Sequence, residues 1–155
     1  MDIPSYQYVP EDHIPTYTSI DADVSTKVIT GKQKDIQGPI TSVSEVLVLW
    51  ASAQNKGTET YKIPEGYNCM LYVIFGNISI SGYGLVAEKS LAIFEDTGNT
   101  ITISASTDTS FLILAGPPIN EKMAQQGPFV MNSETELLEA MRDYQMGKMG
   151  VLIEE

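Results

Sequence analysis

The sequence is poor in the side chains that carry most metal and nucleophilic chemistry. It has one histidine and one cysteine, and nine lysines and arginines stand against twenty aspartates and glutamates. Each shortage excludes something. The lone cysteine, Cys69, forms no internal disulfide, so a reducing, cytoplasmic setting is expected. One histidine cannot build the two- or three-histidine sites on which small antiparallel barrels hold first-row cations. His13 also lies in the proline-flanked stretch Glu11-Asp12-His13-Ile14-Pro15, where a solvated or capping role is expected. A formal charge of −11 repels phosphate backbones and anionic membrane surfaces, which argues against direct contact with nucleic acid or membrane. Lys27, Lys32 and Lys34 are the nearest approach to a basic cluster, and beside the Gly38-Pro39 turn they read as a solvated loop. The longest apolar run, CMLYVIF from Cys69 to Phe75, falls far short of the ~20 residues that cross a bilayer. The N-terminus has neither the basic start nor the apolar block of a secretion signal, so a soluble protein is expected.

Catalytic motifs are missing as well. There is no Gly-x-Ser-x-Gly elbow, no phosphate-binding glycine loop and no Cys-x-x-Cys pair. Cys69 sits in the most apolar stretch with no histidine near it in sequence, the setting of an inert core thiol. The carboxylates Asp21/Asp23 and Glu95/Asp96 are too isolated to suggest an all-oxygen metal site. Tyrosine is the one mild excess, with eight residues, and Tyr61, Tyr67 and Tyr72 surround the Pro64-Glu65-Gly66 turn. Together with Cys69 these three are the candidates to line a cavity, although filling the interior is the plainer expectation for a tyrosine in a barrel. No residue is assigned a catalytic, cofactor-binding or metal-ligating role.

What the sequence does contain is a run of strands. Its 155 residues suit one domain able to bury its own core. From Val24 to Ala115 short β-rich runs recur between turn residues, at the spacing of a sandwich or closed barrel. They are VSTKVIT from Val24, EVLVLWA from Glu45, TETYKI from Thr58, CMLYVIF from Cys69, NISIS from Asn77, LAIF from Leu91, TITIS from Thr100 and FLILA from Phe111. Alternation such as Ile78/Ile80 against Ser79/Ser81 places one face in a core. CMLYVIF and FLILA are apolar on both faces, which suits central strands covered twice. Gly82-Tyr83-Gly84 reads as a hairpin turn. Helical character appears only at the end, where Ser133-x-x-Glu136 forms a capping box and Gly147 a stop. Leu137, Leu138, Met141 and Tyr144 then form the expected packing face. The expected organisation is a leader over 1–20, a barrel over 21–132, and a C-terminal helix and tail over 133–155.

The C-terminal half carries the most specific pattern. Leu112 to Gly116 (LILAG), Pro117-Pro118-Ile119-Asn120-Glu121, the segment GPFVMN from Gly127 to Asn132, then Glu136, Asp143-Tyr144-Gln145 and Gly147 resemble the second half of the pirins, a family of two-domain cupin proteins. Upstream, Pro4-Ser5-Tyr6-Gln7 resembles their inter-domain junction. Val28-Ile29-x-Gly31, Gly38-Pro39 and Ile63-Pro64-Glu65-Gly66-Tyr67-Asn68, followed by Tyr72-Val73-x-x-Gly76, resemble their second barrel. The resemblance implies an all-β fold, a cupin-type antiparallel β-barrel (a double-stranded β-helix or jelly roll) with one C-terminal α-helix. It also implies that iron, held by three histidines and a glutamate, belongs to the first barrel, and that some members resemble quercetin dioxygenases. With Gly76 as the closing glycine of the first cupin motif, ligand positions fall near Ile63, Glu65, Cys69 and Ile101, and only one of these suits a hard metal. Two departures stand out: Glu121-Lys122-Met123 replaces the usual Glu-Pro-Val, and the first domain has no counterpart in the chain.

The leading expectation is therefore a metal-free, non-catalytic cupin domain of a pirin-like protein, serving as a structural or protein-interaction module without a cofactor. Its partner would be a missing N-terminal cupin domain, another protein, or a second copy in a homodimer. The alternatives are a small-molecule-binding or metal-independent enzymatic barrel using Tyr61, Tyr67, Tyr72 or Cys69, and an accessory half of a quercetin-dioxygenase-like pirin. A further alternative is a metal enzyme completed by ligands from another chain.

Overall fold

The computed structural model describes residues 6–95 and 97–150, so the readings of Pro4-Ser5, Asp96 and the tail beyond residue 150 lie outside the described residues. All eight β-rich runs form strands, joined by shorter ones. In chain order they are β1 (Thr16–Thr18), β2 (Val24–Thr30), β3 (Lys32–Gln33), β4 (Ile36–Gln37), β5 (Leu47–Ala53), β6 (Thr58–Lys62) and β7 (Asn68–Phe75). Then follow β8 (Ile78–Ile80), β9 (Gly84–Val86), β10 (Leu91–Ile93), β11 (Thr100–Ala105) and β12 (Thr109–Gly116). The last are β13 (Ala124–Gln126), β14 (Phe129–Met131) and the helix α1 (Glu134–Gln145).

The chain divides into two compact units between Pro118 and Ile119. The stretch read as a leader is partly structural, because β1 pairs with β2 through Tyr17 opposite Thr26. The first unit holds a six-stranded sheet in the order β1-β2-β5-β12-β7-β10 and a four-stranded sheet in the order β6-β11-β8-β9, with antiparallel pairing throughout. This is the jelly roll that the resemblance implies, with its two sheets left unjoined at their edges.

Period-two alternation decides what fills it. Val24, Thr26, Val28 and Thr30 of β2 point inward, as do Leu47, Leu49, Ala51 and Ala53 of β5 and Phe111, Ile113 and Ala115 of β12. Cys69, Leu71 and Val73 of β7 meet Ile101 and Ile103 of β11 and Ile78 and Ile80 of β8 in one core. Burying a large apolar side chain contributes roughly 1.5–3 kcal/mol, so this shared interior is what holds the sheets together. The second apolar faces of β7 and β12 are only partly covered: Met70 and Tyr72 each keep 37% of their surface exposed on the outside of the six-stranded sheet.

In the second unit β13 and β14 form a hairpin that packs against α1, with the Phe129 and Tyr144 rings edge-on at 5.8 Å. The capping box is present: Ser133 Oγ accepts from the Glu136 amide at 3.3 Å and donates to its carboxylate at 2.9 Å. The expected packing face is present in part: Leu137 is buried together with Ala140, Met141 is half-buried and the Tyr144 ring meets Phe129, whereas Leu138 is exposed.

Candidate functional site

The four cavity candidates do not converge. Tyr61 lies inside the core of the first unit, where its ring meets Phe111 edge-on at 6.0 Å and its hydroxyl sits 3.0 Å from Thr26 Oγ1. Burial drives its phenol above the ordinary range. Cys69 also faces inward, and burial pushes its thiol up to about 11. Tyr72 stands on the opposite side of β7 from Cys69, because the two differ by an odd number of positions on one strand. Tyr67 is half-buried at the β6–β7 turn and donates to Glu45 Oε2 at 3.0 Å.

Ile63 and Cys69 flank the Pro64–Tyr67 turn, and Ile101 sits opposite Tyr61 on the neighbouring strand, so these cupin ligand positions gather at one end of the fold. Their side chains are two isoleucines and a protonated thiol, 6%, 8% and 4% exposed. Glu65 is exposed in the turn itself, apart from them. Deeper in, Leu49, Leu71, Val73, Ile78 and Ile113 have no exposed surface at all, so they line no water-sized cavity. No group of three or more His, Cys, Asp or Glu side chains lies together among the described residues. This donor set does not fit a first-row cation, which needs several imidazole, thiolate or carboxylate donors at bonding distance.

Two polar features remain. At the edge between β1, β2 and β6, Lys34 Nζ lies 3.2 Å from Glu59 Oε1 and 4.2 Å from the centre of the Tyr17 ring. Burial lifts the Tyr17 phenol to about 12, so neither it nor Tyr61 acts as a base near neutrality. The second is a groove of about 360 Å³ at the end where the ligand positions gather. Its apolar lining includes Leu47, Val46, Ile40 and Pro64, and its polar lining includes Lys32, Glu45, Tyr67, Thr41, Ser42 and Ser44. Gly31 shapes the wall: it has φ +80°, and a Cβ there would lie 2.5 Å from the Val46 carbonyl oxygen. Outside the groove, Gly38 packs its backbone against Ile29 so closely that a Cβ would lie 2.7 Å from the Ile29 carbonyl. Of the sequence candidates only Tyr67 lines this groove. Glu45 and Lys32 carried no signal of their own, since the groove joins segments brought together by the fold.

The sequence profile of the Pirin C-terminal cupin domain matches residues 48–150. A pirin-like protein from Caulobacter vibrioides is 33% identical over 96% of this chain and 53% of its own length. Pirin-like protein 2 from Arabidopsis thaliana is 29% identical over 95% of the chain and 48% of its own length. Among solved structures, a quercetin 2,3-dioxygenase from Acinetobacter baumannii superposes with a TM-score of 0.90 at 30% identity, covering 96% of this chain and 52% of that one. The chain thus spans about half the length of the relatives it matches.

Proposed function

The chain belongs to the pirin family of cupin proteins, and from that premise we propose that it acts as a metal-free, non-catalytic barrel, a structural and protein-interaction module of a pirin-like protein. One observation carries the reading: of the four positions that the resemblance marks for cupin metal ligands, Ile63, Cys69 and Ile101 are buried in an apolar core, and Glu65 alone, exposed in its turn, carries a carboxylate. Isoleucine has no lone pair to offer. A thiol kept protonated by burial is a poor ligand, because the thiolate is the binding form.

The outer face of the six-stranded sheet supports the interaction role. Trp50, Leu112, Tyr72 and Leu91 stand in one cross-strand row, and Val48, Leu114, Met70 and Ile93 in the next, with no charged side chain among the eight. An apolar stripe of this kind on a chain of charge −11 suits coverage by another folded surface, and a second copy of the chain is the occupant we propose.

The test is turnover. The purified protein, supplied with Fe(II), Ni(II) or Cu(II) under air, is expected to consume quercetin no faster than the free metal does. Saturable, protein-dependent consumption would overturn the non-catalytic reading. Light scattering on the same sample is expected to give the mass of two chains, and a monomer at every concentration would remove the second copy as partner.

A further inference from the structure

We infer that the groove beside Tyr67 binds a small zwitterion of the amino-acid type, with its ammonium on Glu45, its carboxylate on Lys32 and an apolar side chain against Ile40, Val46 and Leu47. The groove brings together features that stand apart elsewhere on the first unit. Its volume of about 360 Å³ lies in the range of small-ligand sites. Its apolar lining of Ile40, Val46, Leu47 and Pro64 offers an apolar body a surface on which to leave water. Glu45 and Lys32 are opposite charges lining the same groove, and neither takes part in an ion pair among the described residues.

The charges select the ligand. A simple anion would gain Lys32 and lose against Glu45 and the net charge of −11, and a simple cation would leave Lys32 without a counter-charge. A molecule carrying both signs satisfies both groups. The carboxylate is also oriented in advance: Tyr67 donates to Glu45 Oε2 at 3.0 Å, leaving the other oxygen free for a donor. The close approach of Gly31 to the Val46 carbonyl holds these two lining segments together, which limits the ordering that accompanies binding.

The experiment is a titration of the isotope-labelled protein with L-leucine, followed by amide chemical shifts. Saturable shifts are expected at Gly31, Val46 and Tyr67, with none at Leu112 on the outer face. N-acetyl-leucine lacks the ammonium and isoamylamine lacks the carboxylate, and each is expected to bind about tenfold more weakly. Glu45→Gln and Lys32→Met are each expected to weaken leucine binding by about the same factor, and Lys62→Met, outside the groove, to leave it unchanged. Both replaced side chains are exposed, and the unshifted remainder of the spectrum reports the fold. Absence of saturable shifts at millimolar leucine would overturn the inference. So would equal binding of the blocked analogues, or leucine binding indifferent to both replacements. The titration reads neither metal nor turnover, so its failure leaves the non-catalytic reading standing.

Discussion

Tyr61 and Tyr72 share a residue type and a place near one turn, yet their surroundings make them respond differently to the same change. Removing the Tyr61 hydroxyl strands Thr26 Oγ1, itself 0% exposed, without its partner. Leaving a buried polar group unpaired costs about 1–3 kcal/mol, so Tyr61→Phe is expected to lower the stability measured by urea unfolding by that amount. Tyr72→Phe changes an outward, partly solvated side chain and is expected to stay within about 0.5 kcal/mol of the parent. Cys69 adds a pH dependence whose sign follows from its burial. Its thiol rises from an ordinary 9.0 to about 11 in the folded chain. Between those values the unfolded chain has lost a proton that the folded chain keeps, so stability falls as pH rises, and this contribution is unchanged below the lower value. Urea midpoints followed across that interval should show the decline in the parent and a shallower one in Cys69→Ala. Equal slopes in the two proteins would mean the thiol is not shielded from solvent.

The strands and the helix were legible to different depths. Runs such as TITIS were readable because alternation of the kind seen in Ile101/Thr102/Ile103/Ser104 specifies a face, and CMLYVIF and FLILA because they are apolar on both faces. Strands β8 and β10 have only three residues but stood out within the longer runs NISIS and LAIF, whereas β1, β9 and the β13–β14 hairpin, equally short, lie in no such run. The placement of Tyr72 was readable in principle: once Cys69 and Leu71 face inward, strand parity sends residue 72 out. The groove was not readable, since Lys32, Glu45 and Tyr67 come from three segments and only the folded approach of Gly31 to Val46 brings them into one wall. In α1 the capping box was legible because its signal is local, whereas the buried face depended on where the β13–β14 hairpin lies. That difference gives a test. Leu137→Ala removes a buried side chain and is expected to cost about 2–4 kcal/mol of local stability, read as amide exchange through residues 134–145. Leu138→Ala, 61% exposed, is expected to leave exchange within about threefold of the parent. A comparable loss of protection in Leu138→Ala would return Leu138 to the packing face read from periodicity.

At the scale of the whole molecule, the proposal of a protein neighbour rests on the apolar stripe of the six-stranded sheet, and the charge of −11 disfavours polyanions. The metal-free reading rests on the core: Phe111, Leu49, Leu71 and Ile113 fill the space between the sheets, and the apolar side chains at 63 and 101 extend that packing to two of the positions that the resemblance marks for ligands. The same side chains that complete the core remove the donors. The most direct measurement is therefore metal retention. The purified chain is incubated with Fe(II), Ni(II), Zn(II) and Cu(II) in turn, desalted, and analysed for bound metal by elemental mass spectrometry. The account predicts that no transition metal stays with the protein beyond trace amounts, and near-stoichiometric retention of any of the four would contradict it.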